Sequence, residues 1–104
     1  MGEPMRRLVR REVEHPAVHP VFRTHFPGFP RVPGSFLVQN FLDMLKGVVP
    51  EGQKLVLQRF RFRHFLAPGT YCYELEERAD GGFSCRIWDG ETLACEGIVR
   101  CPRP

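Results

Sequence analysis

The chain has 104 residues, of which 42% are hydrophobic and 26% charged, and Lys+Arg 15 against Asp+Glu 12 leave a net charge of +3. A chain of this size is expected to form a single domain over residues 1–104 and to bury roughly 60–70% of its unfolded surface, so self-association would stabilise it. The composition excludes a disordered or low-complexity chain, and the lack of a twenty-residue apolar run excludes a helical membrane span. The charged opening MGEPMRRLVRREVE lacks the apolar centre of a signal peptide, which sets the expected location as the cytoplasm.

In chain order, residues 5–14 (MRRLVRREVE) set Leu8, Val9 and Val13 among charges, as a strand with one solvated face would. Residues 15–34 then carry Pro16, Pro20, Pro27, Pro30 and Pro33, which fits a stiff, extended loop and no regular element. From Ser35 the stretch SFLVQNFLDMLKG predicts a mostly buried helix, with Gln39, Asp43 and Lys46 forming one polar stripe. Gly47 and Pro50 end it. Four runs rich in β-branched and aromatic residues follow, KLVLQRFRFRHFL, TYCYELEERA, FSCRIWDG and ETLACEGIVR, separated by APGT, DGG and DG turns. One helix against about five antiparallel strands is an α+β architecture.

Cys72, Cys85, Cys95 and Cys101 lie 13, 10 and 6 residues apart with no CxxC pair, so they read as buried apolar side chains and not as zinc ligands or a redox couple. His15 and His19 each precede a proline, which keeps them off one helix face, and no metal site is expected. The RFRFR run places Arg59, Arg61 and Arg63 on one face of a strand. Such alternation suits a single-strand nucleic-acid binder, but a half-solvated strand gives it equally well, and nucleic acid is not the expected partner. The three arginines can instead meet an acidic carrier protein or the phosphates of coenzyme A, or be solvated surface.

His25 is the natural acid–base candidate, because its imidazole titrates near neutrality and the surrounding prolines hold it beside a helix start. At that start, around Gly34, free backbone N–H groups and the helix dipole can stabilise a developing oxyanion.

The stretch HPVFRTHFPGFPRVPGSFLVQ resembles the F-x-G-H-F-P-G-x-P-x-x-P-G signature of the hot-dog-fold 3-hydroxyacyl-(acyl carrier protein) dehydratases, and FRFRHFLAPGTY resembles their next strand and turn. The resemblance implies a hot-dog fold, with an antiparallel sheet of about five strands wrapped around a central helix. It implies that His25 is the catalytic histidine, that the Gly34 N–H polarises the thioester carbonyl, and that Phe26, Pro33 and Phe36 line the substrate. It further implies a homodimer, an acyl thioester on a carrier protein or coenzyme A as substrate, and no cofactor. The family's catalytic Glu or Asp falls fourteen residues after the histidine, and here that position is Gln39. A carboxamide forms hydrogen bonds but does not exchange a proton, so general acid–base help of about 10²–10⁴-fold is lost unless Asp43, one turn on, supplies it. A thioesterase in which Gln39 orients water is one alternative. A non-catalytic acyl-thioester binder, or a partner subunit pairing with an acid-bearing homologue, is another.

Overall fold

The computed structural model describes residues 6–16 and 31–102. Strand β1 (Leu8–His15) is followed by helix α1 (Gly34–Leu45) and by strands β2 (Val56–Phe62), β3 (Gly69–Glu77), β4 (Phe83–Asp89) and β5 (Thr92–Arg100). The strands form one antiparallel sheet in the order β1-β3-β4-β5-β2. β1 and β2 are consecutive strands yet occupy opposite edges of the sheet, with α1 between them in the chain. β3, β4 and β5 form the expected meander. Gly90 makes the β4–β5 turn at φ 60°, a left-handed conformation that glycine takes without a steric cost.

Directly opposed residues share a sheet face. Tyr73, Ile87 and Cys95 make one row of the inner face, and Leu75, Cys85 and Gly97 the next. The helix adds Leu37, Phe41, Met44 and Leu45, all buried and spaced as one helical stripe, and these join the strand residues in a single core. The Phe41 ring lies 5.1 Å from that of Tyr73 and 6.0 Å from that of Phe60. Burial pushes the thiols of Cys85 and Cys95 up to about 12, so both act as apolar filler.

β2 departs from the simple alternation. Leu57 opposes Val99 and Gln58 opposes Ile98, but the next pairs are Arg61 with Glu96 and Phe62 with Cys95, which leaves one extra residue in β2. The apolar pattern requires this: Leu55 and Leu57 are out of phase with Phe60 and Phe62, and only an inserted residue lets all four avoid the solvated face. Arg59 absorbs the slip at φ 54°. Phe60 then covers Gly97, where an added Cβ would lie 2.5 Å from the ring. Arg61 and Arg63 point to the outer face, and Arg59, carried by the bulge, lines a recess of that same face with Arg61.

Gly97→Ala should therefore push Phe60 off Phe41 and destabilise the fold by about 1–3 kcal/mol. Arg59→Gly should leave stability unchanged or raise it by up to about 1 kcal/mol, since glycine takes the left-handed conformation without the Cβ penalty. Urea unfolding measures both. A loss of more than about 1 kcal/mol in Arg59→Gly would mean that the arginine side chain itself holds the bulge.

Candidate functional site

The helix start is held from two sides. Pro33 is the N-cap, with φ −60° and ψ 142°, and makes no side-chain cap, so the first turn rests on its carbonyl, which accepts from the N–H of Phe36 and Leu37. Just before it, the Val32 N–H donates to the Leu66 carbonyl at 2.8 Å, and the Arg31 guanidinium lies 4.1 Å from the centre of the exposed Phe65 ring. From the other side the Phe62 ring comes within 3.1 Å of where a Cβ on Gly34 would lie, so glycine permits this approach. The first turn contains no acidic residue to offset the positive end of the helix dipole. Phe36 is half-buried against the core.

Gln39 and Asp43 meet on the exposed side of α1. Gln39 Nε2 donates to Asp43 Oδ1 at 3.0 Å, and Lys46 Nζ lies 3.4 Å from the same oxygen. The Gln39 hydrogen bond, opposed by some desolvation and reinforced by Lys46, holds the Asp43 carboxyl below its usual range. Asp43 is thus an ionised acceptor near neutral pH and a poor proton donor. Gln39 also lines a groove of about 680 Å³ between the helix and β2, together with Leu42, Lys46, Leu55 and Leu57. Gly34 is five residues from Gln39, about 7.5 Å along the axis. His25 and Phe26 lie outside the described residues.

Comparison with solved structures finds a chain of the dehydratase heterocomplex ApeI:P from Xenorhabdus doucetiae at TM-score 0.78 and 19% identity, covering 94% of this chain and 95% of that one. An uncharacterised protein from Erwinia carotovora subsp. atroseptica matches at TM-score 0.72 and 21% identity, over 96% of this chain and 86% of that one. The chain shares the fold of these structures, one helix against a five-stranded antiparallel sheet, as in a hot-dog fold. No protein-family model matches the chain, and no curated protein is similar to it.

The hot-dog sheet also carries a polar pair absent from the sequence reading. His15, expected in the proline-rich loop, ends β1 and is buried, with Nε2 2.7 Å from the hydroxyl of the fully buried Tyr73. Burial pushes the Tyr73 hydroxyl up, so it stays protonated. The signal was the alternation Val9, Val13, His15, which puts all three on the inner side of β1. Among the described residues no group of three or more His, Cys, Asp or Glu side chains is placed to hold a metal, and no helix is long and apolar enough to cross a membrane.

The outer face of the sheet is charged. Glu74, buried at its centre, accepts from Arg10 Nε at 2.8 Å and from Arg86 Nε at 2.7 Å. Desolvation raises its pKa, but hydrogen bonds and charge from Arg86 and Arg10 outweigh that, and the carboxyl sits below its usual range. A lowered folded-state pKa adds stability that is present above the unfolded carboxylate pKa and is lost as pH falls through the folded one. Arg86→Gln should cost about 1–3 kcal/mol at pH 7 by leaving Glu74 underpaired, and the cost should shrink as acid protonates Glu74. Unfolding measured between pH 7 and 3 checks this. A pH-independent cost would show that Arg86 acts through packing alone.

Proposed function

We propose that the protein is a 3-hydroxyacyl-thioester dehydratase or hydratase of fatty-acyl metabolism, acting in the cytoplasm on substrates carried by an acyl carrier protein or coenzyme A. The observation that carries this reading is the helix start at Gly34, pinned by Val32 and Phe62 and with no acidic residue in its first turn, which suits a developing oxyanion. In the reaction, the thioester carbonyl accepts from the Gly34 N–H while His25 removes the α-proton. The enolate then expels the β-hydroxyl, which takes a proton from the imidazolium and leaves as water. Gln39, turned toward Asp43, orients the hydroxyl by hydrogen bonding, and Asp43 serves as the acceptor that fixes Gln39. Phe26, Pro33 and Phe36 border the acyl chain, the sheet wraps the helix to enclose it, and Arg59, Arg61 and Arg63 face the carrier. No cofactor is required.

A second reading is favoured by Gln39 and by the ionised Asp43: a subunit that binds acyl thioester but depends on an acid-bearing homologue for turnover. The similarity to a chain from a dehydratase heterocomplex supports the same reading.

Purified protein incubated with crotonyl and 3-hydroxybutyryl thioesters, with enoyl absorbance and free thiol followed together, separates the two. Dehydratase activity predicts reversible enoyl turnover that disappears in His25→Ala and rises in Gln39→Glu, by up to about 10²–10⁴-fold if the carboxylate restores full acid–base help. A wild type that is inert until Gln39→Glu awakens it would establish the partner-subunit reading, and thiol release would establish a thioesterase.

The dimer is proposed to form along the β2 edge, where Leu57 and Phe62 are 43% and 46% exposed. A melting temperature that rises with protein concentration is expected. Leu57→Arg should lower the sedimenting mass toward the monomer, and a wild type monomeric at all concentrations would overturn the assembly.

A further inference from the structure

On the sheet face away from α1, a recess of about 290 Å³ is lined by Arg59, Arg61, Arg78, Arg86, Ser84 and Glu96. Four guanidinium groups around one concavity repel each other unless anions hold them. Three carboxylates of the chain meet that need for two of the four: Arg86 bonds Glu74 and Glu76, and Arg78 bonds Asp80 while its Nη1 reaches the Ser84 hydroxyl oxygen at 3.3 Å. Glu96 is engaged by Arg63. Arg59 and Arg61 are left without a carboxylate among the described residues, so two positive charges stay uncompensated at the rim.

The backbone adds an independent observation. Arg59 occupies the left-handed conformation of the β2 bulge, where glycine would be favoured, and from there it lines the same recess as Arg61. A long cation stands at a position whose backbone disfavours it, beside a second cation that also has no carboxylate partner among the described residues.

We propose that this recess binds a phosphate ester. Two guanidinium forks present paired N–H donors that match the oxygens of a phosphoryl group, and their unmatched charge of two equals that of a phosphomonoester dianion. Ser84 keeps its hydroxyl hydrogen to donate. The volume is about ten water molecules' worth, enough for a phosphoryl group and the first atoms of its ester. The inference deepens the thioester reading and rests on it for the source of the phosphate, namely coenzyme A, which carries a 3′-phosphomonoester beside its pyrophosphate.

The test is calorimetric titration at low ionic strength with pyrophosphate, coenzyme A, 3′-dephospho-coenzyme A and pantetheine. Pyrophosphate and coenzyme A should bind, weakening with added salt, and pantetheine should not. Arg61→Gln and Arg59→Gly should each weaken coenzyme A binding about tenfold. Arg59→Gly is the decisive variant, because its fold is expected to be at least as stable while its phosphate affinity falls. Arg7→Gln, which removes a cation elsewhere on the surface, should bind as the wild type does. Tighter binding of coenzyme A than of its dephospho form assigns the 3′-phosphate to the recess; equal binding with pantetheine still excluded assigns the pyrophosphate. Unchanged affinity in both recess variants, pantetheine binding as tightly as coenzyme A, or no binding of pyrophosphate and coenzyme A would overturn the proposal. Turnover of a phosphate-free N-acetylcysteamine thioester alongside lost phosphate binding refutes the recess alone, whereas inert chemistry with intact phosphate binding refutes the enzyme reading alone.

Discussion

The one-residue slip in β2 governs more of this structure than any other single feature. If the strand ran without a bulge from Leu57, Phe60 and Phe62 would turn to the solvated face, and the helix would lose its contacts at that edge. With Arg59 absorbing the slip, Phe60 fills the space over Gly97 and meets Phe41, while Phe62 lies against Gly34. The bulge therefore sets the position of the helix start relative to the sheet edge. A local cost of left-handed backbone at one arginine, about 1–2 kcal/mol, is offset by two aromatic side chains kept on the core side.

The same slip divides the strand chemically. Its inner side supplies phenyl rings to the helix, and its outer side supplies guanidinium groups to a face where carboxylates already belong to other arginines. Glu74 shows how completely those carboxylates are committed, since it is buried between Arg10 and Arg86 and would be costly to leave with only one of them. Charge added by β2 to such a face has few internal partners. Arg63 finds Glu96, while Arg59 and Arg61 have no carboxylate partner among the described residues.

Much of this was readable from residues alone. The helix stripe of Leu37, Phe41, Met44 and Leu45, the three-strand meander with its DG turns, and the polar edge of Gln39, Asp43 and Lys46 all follow from periodicity and turn chemistry. Periodicity alone does not reveal that β1 and β2 form opposite edges, because strand order depends on contacts distant in sequence. RFRFR hides the bulge because it alternates perfectly within itself; the information lies in its phase relative to Leu55 and Leu57, nine residues of context and not five. His15 falls at the start of a segment that its many prolines mark as a loop, yet a residue before proline favours extended backbone, which is equally the geometry of a strand end.

At the helix, periodicity puts Gln39 and Asp43 on one polar stripe but does not give their contact. Asp43 was expected to stand one turn beyond the position of an absent acid, separated from Gln39 by about 5 Å of rise. Side chains at i and i+4 converge, and the carboxamide spans that rise to donate to the carboxylate. The consequence is chemical as well as geometric: the bond that brings Asp43 close to Gln39 also holds Asp43 ionised, so proximity is gained at the expense of proton-donating ability. An acid at residue 39 would stand in the opposite electrostatic situation, since a carboxylate facing Asp43 four residues away would repel it and have its pKa raised. The helix is thus arranged so that one substitution at Gln39 changes hydrogen-bond direction, charge and proton affinity together.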